Sequence, residues 1–415
     1  MDSEKKTKKS TGNRILIITE RFYPEEFILN DLVMDLKIRG LEFDVLTQSP
    51  SYPNGKVSDY PGYKNKFFQI CFWNNIKVYR IWTIQNYGKN KFKKVFNYLN
   101  FAIFSSIILL FIGRKYKKIF VFQAGPLTVG VPAIIGKKIF KTTNIIWSVD
   151  LWPDTVYMYG FKRSKLNKAL LDRLVKTIYK YFDTIYCSSS AFPLRLKHYV
   201  NTKPINVLLQ WPQISNINTS EIKTNLEKDY FNFTFTGNIA WTQNLENVIL
   251  GFSLAQKSNS KIRFNIFGDG SDLERLKNLT IEKGISNVVF WGRKPLSEMP
   301  SIYDQSQVLV ISLQPDPVYD LYIPLKFSTY LAFNKPIFAI MNGVVTDLVE
   351  NNRIGVSASP SNIEEIRKGF EELSLMDQKK LSLFSRNSST LLKNEFDRKS
   401  NIDIVFRTLN ISGNK

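Results

Sequence analysis

The stretch Arg14–Thr47, RILIITERFYPEEFILNDLVMDLKIRGLEFDVLT, decides the fold class. It opens with Arg14–Thr19 (RILIIT), a short Ile-rich run bounded by polar residues, which predicts a buried strand. In Phe27–Arg39 the apolar Leu29, Leu32, Val33 and Leu36 recur on one face of a helix, and Gly40 stands where such a helix ends. Phe43–Thr47 (FDVLT) is the next predicted strand. Strand, helix and strand within so short a span form a right-handed βαβ unit, and that predicts a parallel sheet.

The alternation runs on in both directions of the argument. Strands are predicted at Lys77–Ile81, Lys118–Phe122, Asn144–Ser148 and Thr184–Cys187, with helical stretches between most of them, including Ser164–Phe182. A second series follows. Its strands are Phe233–Thr236, Arg263–Phe267, Val288–Phe290, Val308–Ser312 and Pro336–Ile340; its helices are Asn244–Gln256, Leu273–Lys283, Phe327–Phe333 and Ile363–Leu373. Two doubly wound, Rossmann-like α/β domains in series are the expectation. The predicted organisation is a flexible basic tail over 1–13, a first domain over 14–210, a second over 211–377, and a helical segment over 378–415 that returns toward the first domain. The linker falls near Gln210–Lys223.

Composition bounds the function. At 415 residues, 44% hydrophobic and 22% charged, the chain is globular and too long for one core. Two cysteines make no disulfide framework or zinc site, and they suggest a reducing compartment. A single histidine, His198, argues against a Ser-His-Asp triad or a His-rich metal site. The net charge is +21, and nearly all of it lies before residue 210. Such asymmetry points to a polyanionic partner of the first domain: a nucleic acid, a phosphorylated substrate or an anionic membrane surface.

No signal peptide is expected in the polar residues 2–12. The longest apolar run, Phe101–Gly113 (FAIFSSIILLFIG), falls short of the ~20 residues of a spanning helix. Lys89, Lys91, Lys93 and Lys94 precede it; Arg114, Lys115, Lys117 and Lys118 follow. Two readings stand at this point, a core helix between solvated loops or a helix lying in an anionic membrane interface.

In open parallel sheets, ligands bind outside the carboxyl ends of strands, and two such domains facing each other would place the active site in the cleft between them. Gly237-Asn238 and Gly268-Asp269-Gly270-Ser271 each follow a strand and precede a helix, as phosphate-approaching loops or as plain turns. Neither is a complete dinucleotide fingerprint, and no Walker A loop occurs. In Tyr322–Pro336, Lys326, Ser328 and Thr329 bring a cation, hydroxyls and amide groups to one predicted helix start, which suits a diphosphate unless the hydroxyls are only caps. Asp150 follows a first-domain strand and could orient or deprotonate a substrate hydroxyl. Glu20–Glu26 clusters charge and aromatic rings at another strand end.

The segments FYPEEFILNDL (22–32), SPSYPNGK (49–56), YPGY (60–63), DLWPD (150–154), FTGNIAWTQN (235–244), FGDGSDLERL (267–276), WGRKPLSEMP (291–300) and IPLKFSTYLAFNKPI (323–337) carry a resemblance. In order and spacing they resemble family-4 retaining glycosyltransferases of the GT-B fold, in the branch of bacterial O-antigen and capsule enzymes that includes N-acetylfucosamine transferases. The resemblance covers roughly 14–375. It implies a nucleotide-sugar donor, UDP-linked, in the second domain and an acceptor in the first, with no metal and no other cofactor. The donor residues it implies are Gly237, Asn238, Gln243, Asn244, Gly268, Gly270, Arg293, Ser328 and Thr329, with Asp150 and Lys326 catalytic and Glu20, Tyr23, Glu25 and Asn30 holding the acceptor. The chain departs from the wider family where Asn238 and Gln243 replace an Arg and a Lys, Leu321 and Thr329 replace two glutamates, and Val149 replaces a histidine. Lys326 and Arg293 are then the cations left to meet the diphosphate.

The function that follows is sugar transfer to a polyprenyl-diphosphate-linked saccharide by an enzyme peripheral on the inner face of the cytoplasmic membrane. Residues 89–118 are its expected contact with anionic lipid. Two other readings share the architecture: a non-catalytic nucleotide- or polysaccharide-binding subunit, and a sugar-nucleotide 2-epimerase. Nucleic-acid binding has the charge but no recognition motif.

Overall fold

The structure, a computed structural model, describes residues 14–52, 55–87, 90–158, 161–200, 203–213 and 224–411. The tail over 1–13, Lys89 and the linker residues 214–223 lie outside the described residues. The chain divides into two compact units: one holds the chain up to Leu208 together with the stretch from Lys399 onward, the other Leu209–Arg398.

The first unit is built on an eight-stranded sheet: β1 (Ile15–Ile18), β2 (Phe43–Gln48), β3 (Phe68–Trp73), β4 (Ile76–Ile81), β5 (Lys118–Gln123), β6 (Thr143–Ser148), β7 (Thr184–Cys187) and β8 (Ile205–Val207). The order is β3-β4-β2-β1-β5-β6-β7-β8. β3 is antiparallel to β4, and the other neighbours run parallel. The second unit carries six parallel strands: β9 (Phe231–Thr236), β10 (Ile262–Phe267), β11 (Val288–Gly292), β12 (Val308–Ser312), β13 (Ile337–Ile340) and β14 (Gly355–Ala358), in the order β11-β10-β9-β12-β13-β14. Both sheets are doubly wound, as the alternation of periods predicts.

Burial explains the strands. β1 is buried at every residue, which its unbroken Ile/Leu run requires of a central parallel strand. In the second unit, Phe233, Phe264 and Phe338 present one face of β9, β10 and β13 to the helix Ile363–Leu375. There Phe370 is fully buried, with ring centroids 4.8, 5.9 and 5.0 Å away and Phe252 at 5.3 Å. Edge-to-face packing of this kind adds to the area term.

Three expectations need correction. β3, β8 and β14 were not predicted. β3 has half of its residues exposed, so its pattern lacks a core stripe. The segment after 377 does not return as a whole: helix Gln378–Glu395 stays in the second unit, packed on helix Leu325–Ala332, and only the chain from Lys399 joins the first. There the last helix, Arg398–Asn410, is held at its carboxyl end by Lys118, whose Nζ donates to the carbonyls of Leu409 (2.7 Å) and Ile411 (2.5 Å). A buried ammonium at a helix carboxyl end meets both its dipole and its unpaired carbonyls. Lys118 is therefore a structural residue, and not part of a solvated basic flank.

The third concerns the apolar run. It belongs to a 22-residue helix, Lys91–Ile112; within the stretch Phe92–Lys115 an 18-residue window has a mean hydropathy of 2.0, long and apolar enough to cross a membrane by length and composition. One side of it is core: Phe101, Ser105 and Leu109 are buried, and Asn97 donates to Gln48 Oε1 at 3.1 Å. The opposite side is an exposed apolar stripe of Phe92, Phe96, Leu99, Ile103, Ile107 and Leu110, repeating every three or four residues. The helix is thus core on one face and open on the other.

Candidate active site

In the second unit the carboxyl ends of β9 and β10 are locked together by glycines. Gly268 has φ +147°, and a Cβ there would stand 1.8 Å from the carbonyl oxygen of Gly237; at Gly270 it would stand 2.2 Å from that of Ile239. Backbone therefore packs on backbone. Ile239 N–H donates to Asp269 O (2.9 Å) and Asp272 N–H to Ile239 O (3.0 Å), which zips the loops into one platform. Gly237 and Asn238 are exposed on it, and Asn238 Oδ1 lies beside Gly270.

Helix Leu325–Ala332 follows β12 and starts at Pro324, with no side-chain cap on its first amides. Lys326 and Tyr330 are four apart, so they share a face. That face meets β9: the Tyr330 hydroxyl accepts from Thr236 N–H at 3.1 Å, and Thr236 Oγ1 also lies 2.9 Å from the Tyr303 hydroxyl. The anchor lays Lys326 Nζ 4.0 Å over the Phe235 ring, donating to Gln243 Oε1 at 2.7 Å. A Cβ on Gly237 would approach that ammonium to 3.0 Å. Loss of solvation pushes the Lys326 pKa down to about 7. A cation held this way, next to exposed backbone amides, is ready for an anion.

The position of Gln243 is informative. The resemblance places a lysine there in the wider family; here Lys326 brings its ammonium to Gln243 from another helix. Other expected donor residues do not converge. Ser328 and Thr329 return their hydroxyls to Leu325 O (3.0 and 3.4 Å), because they sit in the second turn, past the free amides. Asn244 is buried and donates to Pro360 O at 2.8 Å, so its amide fixes the start of helix Leu245–Ser258. Arg293 is exposed beyond the edge strand β11, with β10 between that strand and β9, about 10 Å away in the hydrogen-bonding direction.

The first unit gathers charge at the ends of β1 and β6. Glu20 is buried and Asp150 half-buried. Burial pushes the Glu20 carboxyl up to about 8 and that of Asp150 up to about 6, against the pull of Arg21 and Lys94. Lys94, expected as an outer flank of the apolar run, thus faces these acids. Arg21 was likewise missed. Its position after a strand was visible in the sequence, but its stacking on Tyr52, 4.0 Å from the ring, was not.

Two expected acceptor residues are scaffold instead. Glu25 Oε1 accepts the N–H groups of Ser51 and Tyr52, both at 2.8 Å. Asn30 accepts from Tyr23 N–H (3.2 Å) and donates to Glu25 O (2.7 Å). Together they brace the loop between β1 and helix Ile28–Ile38. Tyr23 is exposed and stacks on Trp73 at 4.9 Å. Among the described residues no group of three or more His, Cys, Asp or Glu side chains could hold a metal ion.

Comparison with known proteins bears on this geometry. Residues 216–389 match the model of the family Glycosyl transferases group 1. Probable glycosyltransferase WbjE of Pseudomonas aeruginosa is 23% identical over 238 residues, 55% of this chain and 59% of its own length. The match thus spans under two thirds of that relative. Sucrose-phosphate synthase from Thermosynechococcus elongatus superposes with a TM-score of 0.70 at 14% identity, covering 96% of this chain and 99% of that one. Anabaena HepE, in complex with UDP and glucose, does so with a TM-score of 0.64 at 13% identity, covering 96% and 99%. The chain has the GT-B fold, and the residues that match the group 1 glycosyltransferase model lie in its second unit.

Proposed function

We propose that this GT-B glycosyltransferase moves a sugar, with retention, from a UDP-linked donor to a polyprenyl-diphosphate-linked saccharide. The work would take place at the inner face of a bacterial cytoplasmic membrane, in surface-polysaccharide synthesis. The observation that carries it is Lys326: a desolvated ammonium with no carboxylate paired to it among the described residues, on a glycine-built platform at strand ends. Gly237, Asn238, Gln243, Gly268 and Gly270 belong to that platform and hold the donor in this reading.

In the reaction the bond from the anomeric carbon to the diphosphate oxygen breaks. Lys326 and the first amides of helix Leu325–Ala332 meet the charge left on the diphosphate, and the acceptor hydroxyl attacks the oxocarbenium-like carbon from the same face. The acceptor proton passes to the departing phosphate, and Asp150 orients the hydroxyl. No step is assigned to a metal. The reading as a 2-epimerase loses its histidine, because His198 is exposed and packs edge-to-face on Tyr199 at 4.9 Å. The reading as an inactive subunit rests on the missing Arg, Lys and Glu positions; Lys326 supplies a cation at Gln243, while Leu321 and Thr329 still stand in place of the glutamates.

UDP release from a panel of UDP-sugars tests the reading. Slow release is expected without acceptor, rising at least about tenfold with polyprenyl-diphosphate-linked saccharide in vesicles. If no UDP-sugar is hydrolysed, transferred or bound, the reading fails.

The stripe on helix Lys91–Ile112, bordered by exposed Lys93, Arg114 and Lys115, is the proposed lipid contact. The double substitution Ile103→Glu and Ile107→Glu adds charge only to the open face. It is expected to weaken co-sedimentation with anionic vesicles at least about tenfold, at about 0.8 kcal/mol for each CH2 withdrawn from lipid. Undiminished binding would remove the stripe from the contact.

A further inference from the structure

Glu20 is 4% exposed, and its Oε1 meets no hydrogen-bond donor among the described residues. An acid so placed is costly unless something completes it. Its neighbour Arg21 has the same character: Nε is buried without a hydrogen-bond partner among the described residues, and the guanidinium lies over the rings of Tyr52 (4.0 Å) and Phe27 (5.6 Å). The backbone here is fixed, because Thr47 Oγ1 donates to Glu20 O at 3.1 Å and Thr19 Oγ1 to Arg21 O at 3.1 Å. Facing Glu20 from the turn after β5 is Gly125, at φ +139°, where even a Cβ would stand 3.9 Å from Glu20 Oε2. Lys94 comes from the long helix and Asp150 from the end of β6, and both act on the same cluster.

The arrangement is two cations, one unsatisfied acid and a glycine gap: Glu20, Arg21 and Gly125 at carboxyl ends of parallel strands, and Lys94 in the first turn of the long helix. We propose that Arg21 and Lys94, with the carboxyl of Glu20, form a subsite for a phosphoryl group of the acceptor. The inference rests on the glycosyltransferase reading and adds to it the residues that recognise the acceptor's phosphate. Arg21 and Lys94 supply charge-assisted hydrogen bonds. Glu20 retains its proton near neutral pH and so donates to a phosphoryl oxygen instead of repelling it. The orphaned Nε of Arg21 gains an acceptor. Asp150, next to the same cations, is then beside the sugar that carries the phosphate. Lipid and a soluble sugar are the two carriers of such a phosphoryl group, and the chemistry recognised is the same.

The test is calorimetric titration of inorganic pyrophosphate into the full chain. Two classes of site are expected in the wild type. Lys326→Ala removes one, in the second unit. Arg21→Gln and, separately, Lys94→Gln weaken the other about ten- to a hundredfold, the usual cost of a charge-assisted hydrogen bond. Glu20→Gln keeps a neutral donor and is expected to stay within about threefold of the wild type. Unchanged second-class binding in both Arg21→Gln and Lys94→Gln overturns the subsite. Competition by undecaprenyl diphosphate in phosphatidylcholine vesicles identifies a lipid source, and competition by glucose 6-phosphate a soluble one. If neither competes, the assignment to the acceptor is wrong. Failure of the glycosyltransferase reading looks different: the Arg21-dependent site persists while no UDP-sugar binds or turns over.

Discussion

Replacing Lys326 by alanine is expected to lower kcat about 10²–10³-fold, the usual loss when one preorganised donor to a developing anion is removed. The fold should tolerate the change. Lys326 is half-buried and makes one hydrogen bond, to Gln243, whereas Thr236, Tyr303 and Tyr330 anchor the helix. KM for the donor should rise less than kcat falls, because the charge on the diphosphate grows as the bond breaks. A pH signature accompanies this. In the free protein the Lys326 ammonium titrates at about 7, and a bound diphosphate raises that value. Donor binding above pH 7 must therefore take up a proton, and affinity falls as pH rises, by about tenfold per unit until the bound group also titrates. Calorimetry at pH 8 in buffers of different ionisation enthalpy should show that uptake in the wild type and not in Lys326→Ala. An alanine variant with wild-type turnover and unchanged proton uptake removes Lys326 from the reaction.

Gly268→Ala should act more severely, through the backbone. The new methyl would meet the Gly237 carbonyl at 1.8 Å, at a φ of +147° that L residues rarely adopt. Overpacking and the forced conformation together are expected to cost about 3–5 kcal/mol. The platform that presents Gly237 and Asn238 would separate, and UDP-sugar binding would be lost. Gly284→Ala is the control. Its φ is +58°, and nothing lies within 4 Å of the new methyl, so only conformational cost remains, about 1–2 kcal/mol. Thermal unfolding and donor titration of the pair separate packing from conformation. Equal effects at the two positions would refute the locked-loop account.

The sequence made the sheets legible because period-2 and period-3.6 patterns alternate and each βαβ crossover allows one hand. It hid what depends on distant partners. β3 carried one usable signal: Asn74 and Asn75, at φ +47° and +60°, form the two-residue turn that joins it to β4. Its apolar Phe68, Ile70 and Phe72 alternate, but they form its exposed side, so the alternation marks no core face. The lysines around the apolar run look equivalent in sequence, yet Lys93 and Lys117 are exposed while Lys118 is buried and Lys94 faces two acids. Lys118 is buried because a helix from the far end of the chain covers it, and no local pattern encodes that. Lys326 was legible as a cation at a helix start. Its stacking on Phe235 and its reach to Gln243 were not, since these residues lie more than 80 positions earlier.

That covering helix has a bearing on how the protein is made. During synthesis, the residues of the first sheet leave the ribosome well before the carbonyls that Lys118 binds, at Leu409 and Ile411. The second unit, contiguous from Leu209 to Arg398, can mature as soon as it emerges. The first must wait half-finished until those carbonyls emerge, so nascent-chain stalling or truncation before Leu409 should harm the first unit.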